Sequence, residues 1–327
     1  MAVKTAGNRF DKNDVSVQSM VDRPNTLTSG HRACQGCGEA LGARCAIDAA
    51  YHETHGKIAV VNATGCLEVF SCSYPDNSWN VPWVHSLFGN AAAVASGVAA
   101  GFRMKGEDDV RVIMQGGDGS TLDIGFGCLS GLFDRNDDVL CICYDNQAYM
   151  NTGVQRSSAT PAYARTATTA PAVKSGYFGS DAGTGKNVPE IAMAHGIPYV
   201  ATASIADIRD LERKVRKAIN IRGARYIQIH VPCPLGWGYA SSETINIARL
   251  AVRSGLMPLF EAENGVLVGS TPIDQQVPVE QYMSLQKRFA HVFPKGGRNE
   301  EIVSHYQEIA NKNIEKYRLL MGANNEN

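Results

Sequence analysis

The chain has 327 residues with 31 basic and 32 acidic side chains, a net charge of −1 at pH 7. That balance excludes a strong electrostatic pull toward nucleic acid or an anionic membrane, and no apolar run reaches the ~18 residues a transmembrane helix needs. A hydrophobic fraction of 44% with 32 glycines suits a globular α/β protein rich in tight turns. The first residues are polar and lack the apolar core of a signal peptide, so the cytoplasm is the expected location. Nine cysteines are many for such a chain. Disulfides need an oxidising compartment, so metal or cluster ligation is the better use of the surplus.

In chain order, residues 1–27 show no sustained period and read as an N-terminal arm suited to wrapping a partner subunit. A glycine-rich loop follows, Cys34-Gln35-Gly36-Cys37-Gly38. Glu39 to His52 reads as a helix with small apolar faces (Ala40, Leu41, Ala43, Cys45, Ile47, Ala50). Lys57 to Asn62 is a first strand, ended by the loop Thr64-Gly65-Cys66. Residues 70–86 are aromatic and carry two prolines, which predicts a packed loop and no regular element. Phe88 to Met104 reads as a helix of Ala, Val and Gly.

Asp109 to Gln115 (DVRVIMQ) has the β-branched character of a buried strand. Gly116-Gly117-Asp118-Gly119-Ser120 follows, then helical spacing to Phe133. A second buried strand, Val139 to Tyr144, ends at Asp145-Asn146. Asp118 and Asn146 therefore sit just past the C-terminal ends of two strands of one βαβ unit, the edge at which open parallel sheets bind ligands. Their oxygens are hard ligands suited to Mg2+, and the glycines let backbone N–H groups approach a diphosphate. An isolated Gly-Asp-Gly would be an ordinary β-turn. The order strand, GDG, helix, strand, Asn favours a Mg-diphosphate site.

The stretch from Asn151 to Lys186 is long and poor in large apolar residues. Its composition fits a linker, but its start directly after the metal-site Asn favours a loop that covers a cofactor or joins a partner. Val188 to His195 is a short helix, Tyr199 to Ala203 a strand, Ala206 to Asn220 an amphipathic helix and Arg225 to Val231 the last core strand. Cys233-Pro234-Leu235-Gly236-Trp237-Gly238 is a loop at its end. Glu243 to Ser254 is a helix, Leu259 to Gly269 a hairpin turning at Glu263-Asn264-Gly265, and the tail from Val279 two helices broken near Pro294. The expected fold is α/β, a mostly parallel sheet flanked by helices. Its division is 1–27 (arm), 28–255 (cofactor domain) and 256–327 (C-terminal hairpin and helical extension, suited to subunit contacts).

Four cysteines lie in Gly/Pro loops: Cys34, Cys37, Cys66 and Cys233. Thiolates converging from such loops suit a [4Fe–4S] cluster or Zn2+, and CxxC alone leaves thiol redox chemistry open. Cys45, Cys128, Cys141 and Cys143 fall inside a helix or strand and read as core residues. Cys72 is ambiguous and left out of the set.

The GDG, a spacer of fewer than thirty residues and Asn146 resemble the thiamine-diphosphate (TPP) signature. CQGCGE, TGCLE and VPCPLGW extend the resemblance, over roughly residues 28–250, to the β subunits of the 2-oxoacid:ferredoxin oxidoreductases, the pyruvate synthase family. YMSLQKRF near the C-terminus also looks familial. The resemblance implies a thiamine-diphosphate-binding fold, Mg2+ on Asp118, Asn146 and the Ala148 carbonyl, and a [4Fe–4S] cluster on Cys34, Cys37, Cys66 and Cys233. It implies TPP contacts from Glu39, Thr64, Gly65, Gly117, Gly119, Ser120, Asn151 and Thr152, with Asn151 facing the substrate as the catalytic amide.

The reaction so implied is oxidative decarboxylation of a 2-oxoacid, pyruvate or a relative such as phenylglyoxylate or oxalate. CoA is the expected co-substrate, and electrons leave one at a time to ferredoxin-like clusters. An α subunit would supply the glutamate for the TPP aminopyrimidine, with γ and ferredoxin-like δ subunits as further partners. Glu39 has a bland alternative as a helix N-terminal charge, Glu68 as a cap, His31 as a packing residue and Asn151 as a turn residue. Two other readings stay open: a non-redox TPP decarboxylase or synthase subunit, and a zinc-stabilised non-catalytic scaffold subunit.

Overall fold

The computed structural model describes residues 15–73, 75–169 and 185–320. The first half of the expected arm (1–14) and part of the long loop (170–184) lie outside the described residues. Among the described residues ten strands form: β1 (Ile58–Ala63), β2 (Cys72–Ser73), β3 (Asp76–Asn77), β4 (Trp83–Ser86), β5 (Arg111–Gly117), β6 (Val139–Asp145), β7 (Tyr199–Ser204), β8 (Arg225–His230), β9 (Phe260–Glu263) and β10 (Val266–Ser270). Eight make one sheet in the order β10-β9-β7-β8-β6-β5-β1-β4. From β4 through β7 every pairing is parallel. β9 and β10 close one edge antiparallel. All seven residues of β6 are buried, as expected of a central parallel strand covered on both faces.

The helices are α1 (Gly38–Glu53), α2 (Cys66–Ser71), α3 (Ala91–Met104), α4 (Phe126–Asp134), α5 (Val188–Ala194), α6 (Ile208–Asn220), α7 (Pro234–Trp237), α8 (Thr244–Arg253), α9 (Val279–Met283) and α10 (Glu300–Tyr317). α1 and α6 cover one face: Ala43, Ile47, Leu211 and Val215 pack with Ile142, Ile227 and Ile229. α3, α4 and α5 cover the other, against Val112, Cys141 and Tyr226. α8, α9 and α10 form a third core around Trp237 and Phe289. Asp207, Asn187 and Asn299 cap α6, α5 and α10 by accepting from the third backbone N–H beyond.

Several elements depart from the sequence expectation, among them the two-residue strands β2 and β3 within 70–86 and the single helical turn α7 in the Cys233–Gly238 stretch, all expected to be loop. Residues 83–86, taken as loop, form the edge strand β4 beside β1. Strand pairing overrides a composition rich in aromatics and proline. Cys66 opens the short helix α2 instead of closing a loop. The helix after GDG begins as a π-helical turn, Gly119–Ile124, with the Gly125 N–H bonded to the Ser120 carbonyl at 2.8 Å. Such turns are rare and concentrate at functional sites. Residues 15–27 lie against α1 and α6: Val17 and Leu27 are fully buried, the Val17 N–H donates to Glu212 at 2.9 Å, and the Thr26 N–H to Asp48 at 2.9 Å. The hairpin β9–β10 turns on left-handed Asn264 and Gly265.

Candidate active site

The C-terminal edge of the parallel sheet collects three buried carboxylates. Asp118 follows β5, Asp145 ends β6, and Glu39 lies in the first turn of α1; all are 5% exposed or less. Burial, with Asp145 next, raises Asp118 well above the usual carboxylate range. Burial pushes Asp145 up to about 6 against hydrogen bonds from Gln228 and the Gln147 N–H. Burial pushes Glu39 up to about 7, opposed by a hydrogen bond from Asn146. The Asn146 amide donates to Glu39 at 3.1 Å, so Glu39 is no solvated helix-end charge. The Ser157 hydroxyl donates to Asp118.

Around Asp118 the backbone is opened by glycine. A Cβ on Gly117 would meet nothing nearer than 3.9 Å, whereas one on Gly119 would strike the Tyr149 ring at 2.6 Å. Ser120 is buried and turns its hydroxyl back to the Gly117 carbonyl at 2.8 Å. Ala148 is buried beside Asn146, and its N–H donates to the Asn146 side-chain oxygen at 3.4 Å. Gly65 has open space on its Cβ side, and the Thr64 hydroxyl pairs with His85 at 2.8 Å. Asn151 and Thr152 lie on an exposed turn, where Thr152 bonds Gln155 at 2.6 Å. They do not join the buried group.

A divalent cation fits this constellation. Three desolvated carboxylates face one edge, and their compensation is incomplete without positive charge. Asp118, the Asn146 side-chain oxygen and the Ala148 carbonyl are the hard donors Mg2+ prefers, and the backbone at Gly117, open on its Cβ side, is accessible to a diphosphate.

The four loop cysteines share the same end of the sheet. The Cys37 and Cys233 sulfurs cap α1 and α7, accepting from the Ala40 N–H at 3.4 Å and the Gly236 N–H at 3.3 Å. The Gly38 N–H donates to the Pro232 carbonyl at 3.2 Å, locking the two loops together. Burial, with Glu39 next, pushes the Cys37 thiol up to about 12. The Cys66 thiol is raised further, by burial, Glu39 and then the charges of Cys233, Cys37 and Cys34. Burial likewise raises Cys233, against the Gly236 N–H. The four sulfurs are electrostatic neighbours, Cys34 being exposed and the others half-buried. Among the described residues no three His, Cys, Asp or Glu side chains stand close enough to hold one metal ion. Four thiols gathered at one edge, with N–H donors on two sulfurs, have the donor chemistry of the cluster the sequence suggests. Cys45, Cys141 and Cys143 are fully buried in the core, and His31 packs edge-on to Phe70 at 6.0 Å.

Several residues at the site escaped the sequence reading: Asp145, Gln147, Ser157, Trp237 and Arg288. Trp237 and Arg288 stand in motifs already noted, VPCPLGW and YMSLQKRF. Ser157 lies in a stretch whose composition carries no signal.

Fold and site together define a TPP-binding enzyme, and residues 63–229 match the family model "Thiamine pyrophosphate enzyme, C-terminal TPP binding domain". The chain is 51% identical over 294 residues to pyruvate synthase subunit PorB of Methanosarcina barkeri, covering 90% of this chain and 97% of that one. It is 42% identical over 271 residues to ketoisovalerate oxidoreductase subunit VorB of Pyrococcus abyssi, covering 81% and 85%. A solved 2-oxoglutarate:ferredoxin oxidoreductase from Magnetococcus marinus, with 2-oxoglutarate, coenzyme A and succinyl-CoA bound, shares the fold. Its TM-score is 0.54 and its identity 24%, over 68% of this chain and 69% of that one. The chain belongs to the β subunits of the 2-oxoacid:ferredoxin oxidoreductases, the pyruvate synthase family, and is an oxidoreductase subunit that works with other subunits. Among the described residues no helix is long and apolar enough to cross a membrane.

Proposed function

We propose that this chain is the TPP- and [4Fe–4S]-bearing β subunit of a cytoplasmic pyruvate:ferredoxin oxidoreductase. It would act with an α subunit that supplies the aminopyrimidine glutamate, and with γ and ferredoxin-like δ subunits. The observation that carries the reading is the position of Glu39. It accepts from Asn146 at 3.1 Å, and after burial its charge is the next influence that raises the thiols of Cys37 and Cys66, so one side chain borders both the Mg-diphosphate donors and the cysteine loops.

When bound, TPP supplies the carbanion that takes up the substrate carbonyl carbon and delocalises the electrons left after loss of CO2. The chain's own residues orient and insulate. Asp118, Asn146 and the Ala148 carbonyl would hold Mg2+ and with it the diphosphate. Gly117, Gly119 and Ser120 shape the π-turn against the phosphates, and Thr64 and Gly65 line the neighbouring strand end. Asn151 and Thr152 follow the metal loop on the exposed side, where an amide suits the substrate oxygen. Cys34, Cys37, Cys66 and Cys233 would hold the cluster, within reach of the same edge. CoA is the acyl acceptor in this reading, and pyruvate is favoured by the 51% identity to a pyruvate synthase subunit. Residues 28–255 form the cofactor domain and 256–327 an extension. Part of residues 1–27 is left for partner contact.

The test is metal and cofactor analysis of the purified complex, with turnover across a panel of 2-oxoacids. Cys37→Ala is expected to lose iron and visible absorbance while keeping TPP, and Asp118→Ala to lose Mg2+ and TPP first. Stoichiometric zinc in a colourless protein would overturn the reading.

A further inference from the structure

The loop that carries two of the three metal donors, Asn146-Gln147-Ala148, is bent through a left-handed residue. Gln147 has φ +66°, a conformation strained for a non-glycine residue that persists only where its surroundings impose it. Three contacts impose it here. The Gln147 N–H donates to Asp145 at 3.0 Å, its carbonyl accepts from the Thr160 hydroxyl at 2.7 Å, and its side-chain oxygen accepts from Arg288 at 2.8 Å. A cavity of about 200 Å3 borders the loop at Asp145 and Gln147, while Asn146 and Ala148 are buried.

Arg288 lies in the 3-10 turn Lys287–Val292 of the C-terminal extension and is 5% exposed. Its guanidinium also donates to Gln286 at 2.7 Å and to the Tyr282 hydroxyl at 3.1 Å. It stacks on Trp237, 3.7 Å from the ring centroid. Trp237 in turn donates its indole N–H to the Asn146 carbonyl at 2.8 Å. One buried cation therefore grips two consecutive residues of the loop, directly at Gln147 and through Trp237 at Asn146.

We propose that Arg288 is a positioning residue for the metal loop: by holding Gln147 and, through Trp237, Asn146, it fixes the donors that receive Mg2+ and the TPP diphosphate. The C-terminal extension is then part of the cofactor site, although it contributes no metal ligand. A guanidinium suits the task because its rigid fork serves three acceptors, Gln147, Gln286 and Tyr282, while its face stacks on an indole; an ammonium provides the charge without the fork or the stack. The proposal rests on the reading of this loop as a Mg-TPP site.

The experiment is calorimetric titration of TPP, at fixed Mg2+, into the purified complex stripped of cofactor. It compares wild type, Arg288→Met, Arg288→Lys, Gln147→Ala and the double variant Arg288→Met/Gln147→Ala. Arg288→Met and Gln147→Ala are each expected to weaken TPP binding by about tenfold, the scale of a charge-assisted hydrogen bond. The double variant should lose no more than Arg288→Met alone, and Arg288→Lys should recover part of the affinity. Binding within twofold of wild type in both single variants overturns the proposal, as does full additivity in the double variant. Should Arg288→Met fail to fold, Gln147→Ala, which deletes the same bond from the loop side, decides alone. If wild type itself binds no TPP in the presence of Mg2+, the functional reading falls together with this one. A wild type that binds TPP beside unaffected variants removes only the role of Arg288.

Discussion

Asn146 donates its side-chain amide to Glu39 at 3.1 Å, across 107 residues of sequence. The bond ties the loop after β6, proposed to hold Mg2+, to the helix that begins at the cysteine pair. Both residues are 5% exposed or less, so removing either leaves the other buried and underbonded, which costs more than the bond contributes. The electron donor and acceptor regions of the proposed site are thus held in register by a side-chain contact inside one chain.

Glu39 gives this contact a pH dependence. Burial raises its carboxyl to about 7 from 4.5. Between those values the unfolded chain has released the proton and the folded chain still holds it, so stability falls as pH rises. The rise corresponds to about 3 kcal/mol at most. Urea unfolding of the cofactor-free protein from pH 4 to pH 8 should show wild type losing stability relative to Glu39→Gln over that window. A flat difference would mean that Glu39 is ionised in the fold at no cost.

Gly119 tests the π-turn. A methyl group there would meet the Tyr149 ring at 2.6 Å, and Tyr149 is tethered by its hydroxyl to Asp123 at 3.1 Å. Gly119→Ala should therefore displace Tyr149, cost about 1–3 kcal/mol and weaken TPP binding at least tenfold. Gly127, which has nothing within 4 Å of a built Cβ and lies in α4, is the control. Gly127→Ala should be neutral or stabilise by up to about 1 kcal/mol. Thermal unfolding and TPP titration of both variants check the pair.

Gly36 sits between the paired cysteines at φ +72°, and a Cβ there would run into the Ser241 carbonyl and meet the Ser241 Cβ at 2.8 Å. Its carbonyl also accepts from Thr244 at 2.7 Å. Gly36→Ala should force the loop off α8 and separate Cys34 from Cys37. Iron content is expected to drop while the far-ultraviolet circular dichroism stays that of wild type. Retention of full iron would show that the loop tolerates the shift.

The sheet was legible because its central strands are short, buried and punctuated by glycine: β5, β6 and β8 fall within two residues of their expected bounds. The edge strand β4 was not, since its exposed Val84 and His85 carry no burial pattern and its pairing with β1 is non-local. The nomination of Asp118, Asn146 and the cysteine loops rests on spacing along the chain, which a sequence displays directly, and the structure brings them to one end of the sheet. Ser157, Trp237 and Arg288 could not be read this way. Each reaches the site from a separate segment, and only tertiary packing brings Arg288 to its partner Gln147, 141 residues away in sequence. The π-helical turn is a backbone adjustment that helical periodicity does not reveal.

Glu261 anchors the antiparallel edge that begins the C-terminal extension. Its side chain is 5% exposed, pairs with Arg213 at 2.7 Å and Lys217 at 2.9 Å, and accepts from the Tyr199 hydroxyl at 2.8 Å. Despite burial, the charges of Arg213 and Lys214 and the Lys217 contacts hold its carboxyl down to about 2 from 4.5. A lowered value means that the stabilisation is present above the unfolded value and is lost as pH falls toward the folded one. Glu261→Gln should therefore cost at most about 3 kcal/mol near neutral pH, because it removes one of two carboxylate partners from Arg213 and from Lys217, which keep Asp210 and Glu263. That deficit should shrink as pH drops from about 4.5 to about 2, where the wild-type carboxyl is itself protonated. Because β9 pairs with β7, the loss should be felt as cooperative unfolding of the sheet, not as local fraying. Guanidinium chloride melts of both proteins at pH 7 and pH 3 check it: a pH-independent difference would assign the cost to packing of Glu261 and not to its charge.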